Sequence, residues 1–161
     1  MTIPEFNTCV DLYSDSLYRF LLKNMKDTDK ANDIVQDTYE KLWQKVSETE
    51  IDNVKSYMFT IAYNLMLRQY NRSAREVELD EIEESNAIEK EKYSDLKEIL
   101  NEALHRLPEK QRSAILFRDY EGYNYEEIAK IMQIDPVLVR KYIFRARVTL
   151  KKHLVSIDNV I

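Results

Sequence analysis

The chain has 161 residues, a formal net charge of −5 and one cysteine, Cys9. That length suits one or two small domains; a single thiol excludes an intrachain disulfide framework and fits a reducing compartment, with Cys9 expected as a small half-buried hydrophobe. No run approaches the roughly 18 apolar residues of a membrane span, and residues 1–11 lack the basic and apolar regions of a signal peptide, so a cytoplasmic protein is expected.

Turn-formers are scarce: one glycine, Gly122, and three prolines, Pro4, Pro108 and Pro136. A sheet protein needs many turns and therefore many such residues. The expected fold class is all-α: two small helical domains joined by an acidic linker, the second containing a helix-turn-helix.

In chain order, residues 5–25 read as a helix because Phe6, Val10, Tyr13, Leu17, Phe20 and Leu21 recur at steps of three and four. Asp29 is placed to cap a second helix over residues 30–46, in which Ala31, Ile34, Val35, Thr38, Leu42 and Val46 form an apolar stripe. Asp33, Asp37, Glu40, Lys41 and Gln44 lie away from much of that stripe. Residues 47–53 are a polar connector. A long helix follows over residues 54–72, apolar nearly all round its first turns and rich in aromatics beside Asn and Arg. Residues 75–94 then turn highly charged with scattered aliphatics, which predicts a linker of low structural content between a first domain, 1–74, and a second, 95–161. In the second domain Leu96, Ile99, Leu100, Ala103, Leu104 and Leu107 fit the helical period. Pro108 suits the first turn of the next helix, and Gly122 suits its end.

The charge is unevenly distributed. No acid falls in residues 54–75, which carry Lys55, Arg68, Arg72 and Arg75, and none falls in residues 136–157, which carry Arg140, Lys141, Arg145, Arg147, Lys151 and Lys152. The acidity gathers in the linker between these segments. Local fields, rather than the mean charge, decide whether a polyanion is attracted.

The second acid-free segment has a specific architecture. Asn124 with Glu127 forms a capping-box start for a helix over residues 125–132. A short turn follows, and Asp135 with Pro136 starts another helix. At about 100° per residue, Val139, Ile143, Ala146, Leu150 and Leu154 share one stripe, and Arg140, Lys141, Phe144, Arg145, Lys151 and Lys152 occupy the broad opposite face. Two helices, a tight turn and a basic outer face on the second describe a helix-turn-helix DNA reader. Arg140, Lys141 and Arg145 are positioned for base edges or phosphates, and Phe144 for a thymine methyl. Arg147, Lys151 and Lys152 are expected on phosphate.

These residues resemble a known family. "LPEKQRSAILFRDYEGYNYEEIAKIM" followed by "VRKYIFRARVTLKKHL" is similar to region 4 of the bacterial extracytoplasmic-function sigma factors, and "ANDIVQDTYEKLWQKV" with "SYMFTIAYN" to their region 2. The resemblance implies an initiation factor that directs core RNA polymerase to promoters and helps open them. It implies polymerase contacts at Asp33, Gln36, Asp37, Glu40, Leu42 and Trp43. It implies recognition and opening of the downstream promoter element by Lys55, Tyr57, Phe59, Asn64, Arg68 and Arg72. It also implies that the upstream element is read by Arg140, Lys141, Phe144 and Arg145. An anti-sigma partner is a further expectation of the resemblance. The chain departs from the family pattern at Thr60 and Tyr63, where basic residues are frequent; at Val137 and Leu138, where Gly-Thr is frequent; and at Gln133, where Gly is usual.

The rival readings make different demands. A stand-alone helix-turn-helix regulator that binds DNA without polymerase would need a ligand or receiver domain, for which the first lobe has no phosphate loop. A purely structural adaptor leaves both acid-free basic segments unexplained. An enzyme would need a catalytic constellation, but His105 and His153 stand isolated on helices. A calcium-loop-like run at residues 27–38 has Ala31 at a ligand position, Asn32 in place of the turn Gly and Thr38 in place of the final Glu. No enzyme activity, metal, cofactor or small-molecule substrate is expected.

Overall fold

The computed structural model describes residues 1–80 and 96–158, and among these no strand occurs. The first lobe comprises α1 (Ile3–Met25), α2 (Thr28–Gln44), a 3-10 turn (Ile51–Asn53) and α3 (Val54–Asp80). The second comprises α4 (Leu96–Arg106), α5 (Glu109–Ile115), a π turn (Leu116–Tyr120), α6 (Tyr125–Met132) and α7 (Pro136–Asp158).

Local chemistry sets most boundaries. Thr2 and Glu5 form a reciprocal box at the start of α1, with Thr2 Oγ1 accepting the Glu5 amide at 3.3 Å and Glu5 Oε1 accepting the Thr2 amide at 3.0 Å. Asp27 rather than Asp29 caps α2: its backbone is extended and its Oδ1 accepts the Lys30 amide at 3.1 Å, whereas Asp29 already lies in the first turn. Pro108 caps α5 from outside instead of occupying its first turn. The helix α3 runs to Asp80, so the first six residues assigned to the linker are helical. No glycine or proline interrupts residues 54–80, and Arg, Glu and Leu are good helix formers. The remainder of the expected linker lies outside the described residues.

The long helix α3 is divided among three neighbours. At about 100° per residue, Val54, Met58 and Ala62 fall within about 80° of one another and are buried in the same core as Leu17, Leu21, Ile34 and Leu42. Phe59 and Tyr63 face another way and are fully buried against the second lobe. Tyr57, Ile61, Asn64 and Arg68 recur on a third side.

The two lobes pack directly on each other. Phe20 of α1 stacks on Phe117 of the π turn with centroids 4.2 Å apart, and Phe59 meets Phe117 and Tyr123 edge-on at 5.8 and 5.7 Å. Beside them lies a buried polar node. Arg112 Nε donates to Asn24 Oδ1 at 2.9 Å, Nη1 to the Leu107 carbonyl at 3.1 Å, and Nη2 to Tyr70 Oη at 3.3 Å. The Tyr70 hydroxyl in turn donates to the Asn24 carbonyl at 2.8 Å. At the rim, Arg19 pairs with Glu121 at 3.3 Å and Lys23 lies over the Tyr120 ring at 4.7 Å. Burial, reinforced by the Lys26 and Arg112 charges, pushes His105 down to about 4, so this edge residue of α4 is neutral at pH 7.

Hydrogen bonds to charged groups contribute about 1.5–3 kcal/mol each, and stranding a buried donor adds a desolvation penalty. Asn24→Ala is therefore expected to lower the unfolding free energy by about 2 kcal/mol, read as a shift of the urea midpoint. An unchanged midpoint would mean that the node contributes nothing to holding the lobes.

Candidate nucleic-acid interface

The helix-turn-helix forms as its caps require. Asn124 Oδ1 accepts the Glu127 amide at 2.8 Å and Glu127 Oε1 accepts the Asn124 amide at 3.1 Å, fixing the start of α6. Gln133 ends α6 in the left-handed region at φ 57°, ψ 48°, where its amide donates to the Ala129 carbonyl. Asp135 then starts α7: its Oδ1 accepts the Val137 amide at 2.8 Å and its carbonyl the amides of Leu138 and Val139 at 3.0 and 3.1 Å.

The α7 helix has the two-sided character that its periodicity predicts. Val139, Ile143 and Ala146 are buried, and Leu150 and Leu154 are half-buried. Arg140, Lys141, Phe144, Arg145 and Lys151 are exposed, with Phe144 69 % accessible. Two of the basic residues are held by the protein itself. The Arg140 guanidinium lies 5.2 Å from the Tyr125 ring centroid. Arg147 Nη2 donates to Asp119 Oδ1 at 2.7 Å, and that bond keeps the Arg147 pKa above its ordinary value. Periodicity along α7 carries no sign of Asp119, which approaches from the π turn.

In the first lobe a cleft of about 270 Å³ opens between α2 and α3. It brings together Tyr57, Asn64 and Arg68 and adds Lys41, Gln44 and Lys45 from α2, which sequence reasoning did not assign to this site. The signal for the α3 side was present in the spacing 57, 61, 64, 68. The α2 lysines could be found only from the packing. A second cavity of about 540 Å³ adjoins at Lys45 and Tyr57 and is walled by the 47–53 connector through Glu48, Thr49, Glu50 and Asn53. Cations, an aromatic ring and an amide around one concavity suit an unstacked base and its phosphate.

Three of the expected downstream residues are not in this cleft. Phe59 is fully buried between the lobes, about 140° round α3 from Asn64 at the helical repeat, so in this arrangement it is not presented at the surface. Lys55 turns to the same seam, with its Nζ 5.1 Å from the Tyr123 ring centroid and 5.9 Å from that of Tyr13. Arg72 is exposed further along α3. Of the expected polymerase contacts, Asp33, Gln36, Asp37 and Glu40 are exposed along α2. Trp43 is 46 % accessible and packs edge-on against Phe6 at 5.0 Å. Leu42 is a correction: it is fully buried, because it continues the Ala31, Ile34, Thr38 stripe into the core.

A helical lobe with this cleft, joined to a second lobe carrying a helix-turn-helix whose second helix has an exposed basic face, is the architecture of a sigma-70-type protein. Residues 9–76 match the model of Sigma-70 region 2, and residues 97–150 match that of Sigma-70, region 4. The chain is 30 % identical over 156 residues to the extracytoplasmic-function RNA polymerase sigma factor SigM of Bacillus subtilis, covering 94 % of each chain. It is 29 % identical to the sigma-E factor of Haemophilus influenzae, covering 88 % of this chain and 83 % of that one. The solved structure of the sigma factor RpoE in complex with the anti-sigma factor NepR, from Bartonella quintana, superposes with a TM-score of 0.81 at 31 % identity, covering 94 % of this chain and 98 % of that one. The chain belongs to the extracytoplasmic-function sigma factors of RNA polymerase. Membership disfavours the stand-alone regulator. No described helix is long and apolar enough to cross a membrane.

A left-handed non-glycine residue costs about 1–2 kcal/mol, part of which glycine returns through the freedom of the unfolded chain. Gln133→Gly is expected to stabilise the protein by about 0.5–1 kcal/mol, measured by thermal unfolding; a lower melting temperature would mean that the Gln133 side chain stabilises the turn.

Proposed function

We propose that the chain grips a promoter at two points while bound to core RNA polymerase. The observation that carries this reading is that one chain holds two separate surfaces rich in cations and aromatic groups, the exposed outer face of α7 and the α2–α3 cleft. On it, Arg140, Lys141, Phe144 and Arg145 read the upstream element in the major groove. Tyr57, Asn64 and Arg68, with Lys41 and Lys45, capture an unstacked base of the downstream element. The exposed acidic face of α2, with Trp43, docks on polymerase. The regions divide as residues 1–74, 75–94 and 95–161, with α3 extending the first beyond its boundary.

Lys55 and Phe59 join the downstream contacts only when the second lobe leaves α3, so the reading includes separation of the lobes on polymerase. The action is cytoplasmic and non-catalytic, as befits a factor that works on polymerase. An anti-sigma protein is the partner proposed for the free form; this rests on the likeness to an RpoE solved with one.

Run-off transcription with purified core polymerase tests the reading. Adding the protein should produce discrete promoter-dependent transcripts from genomic fragments, and their absence over many fragments would overturn it. Phosphate contacts are separable by salt. Each neutralised phosphate contributes about 0.9 to the slope of log K against log salt. Lys151→Ala in the polymerase complex is expected to reduce that slope by nearly this amount. Arg147→Ala should reduce it much less, because Asp119 already balances Arg147. Equal reductions would show that the ion pair opens on DNA.

A further inference from the structure

Tyr125 is the first residue of α6 and lies outside the reading helix, yet two arginines gather on it. The Arg118 and Arg140 guanidinium carbons lie 5.0 and 5.2 Å from its ring centroid. The ring itself is well fixed. The Asn124–Glu127 box sets its backbone, and Arg118 is anchored by donating from Nη1 to the Tyr123 carbonyl at 3.1 Å.

Arg140 stands near the N-terminal end of α7, on an exposed face. A free arginine there would spread over many rotamers, at a cost of about 2 kcal/mol in side-chain entropy when it is ordered for bidentate recognition. A guanidinium already resting on a ring has lost much of that freedom. Among the described residues no comparable hold restrains Lys141, Phe144 or Arg145.

We propose that Tyr125 is a specificity-determining positioning residue: its ring pre-orders Arg140 for reading the upstream promoter element. The inference rests on the assignment of α7 as the reading helix. Tyr125 acts on sequence preference through Arg140, so removing the ring should weaken discrimination only where Arg140 supplies it.

The test uses the full chain bound to core polymerase and promoter fragments changed one upstream base pair at a time. Binding is measured for the unmodified protein and for Tyr125→Phe, Tyr125→Leu, Arg140→Ala and the Tyr125→Leu/Arg140→Ala double variant. Arg140→Ala should relax preference at one or two base pairs. Tyr125→Leu should lower discrimination at those same base pairs by about 2–5-fold, the size of an exposed cation–π contact. Tyr125→Phe, which keeps the ring, should retain it, and the double variant should match Arg140→Ala alone. Helical circular dichroism and melting temperature confirm that each variant is folded. An even loss across all base pairs for Tyr125→Leu, or an additive double variant, would overturn the positioning role. If Arg140→Ala relaxes preference and Tyr125→Leu does not, the inference alone falls. If Arg140→Ala leaves every preference unchanged, the groove-reading assignment of Arg140 falls and the role of Tyr125 with it.

Discussion

The guanidinium of Arg112 is buried where the two lobes meet, and the relation between the lobes depends on how it is satisfied. A cation removed from water is tolerated only if its donors find acceptors. Here the acceptors come from both sides: Asn24 and Tyr70 from the first lobe, and the Leu107 carbonyl from the second. These bonds are directional, so they set the register of the seam. The Phe20–Phe117 stack and the rings around it add apolar burial, which is not directional. The seam is not perfect. Among the described residues the buried Tyr123 hydroxyl has no hydrogen-bond partner, and such a group costs about 1–3 kcal/mol. A contact built this way defines one arrangement and still leaves a reason for it to open.

The consequence falls on α3. One helix supplies the first lobe's core, the seam between lobes and the outer wall of a cleft, on three separate sides. This explains its unusual sequence, apolar nearly all round at its start yet carrying Asn64 and Arg68. It also separates Phe59 from Tyr57, which are two residues apart and point to different neighbours. The second lobe covers the side holding Phe59 and Tyr63 and leaves the cleft side open.

In the second lobe the π turn has a comparable role. It widens the helix after α5, so that the Glu121 amide reaches back to the Leu116 carbonyl at 3.1 Å. Phe117 then points into the seam, while Asp119 pairs with Arg147 and Arg118 meets Tyr125. Wide turns of this kind often occur at functional positions. Here one turn connects the lobe contact with side chains packed against α6 and α7.

The sequence by itself determined whatever depends on neighbours three or four residues away. The scarcity of glycine and proline, the apolar period and the Asn124–Glu127 and Asp135–Pro136 signals are local, and the helices, the turn and the two faces of α7 follow from them. Leu42 was legible in the same way, since it lies on the stripe of Ala31, Ile34 and Thr38 and that stripe is the core. Only the tertiary structure decided which charged and aromatic residues are free. Asp119 meets Arg147 across 28 residues of chain, Arg112 meets Asn24 across 88, and Lys41 and Lys45 join Tyr57 only because α2 packs beside α3. A periodic pattern tells which way a side chain points from its own helix axis. What stands opposite is set by how whole helices pack, and that separates an exposed ring such as Phe144 from a buried one such as Phe59.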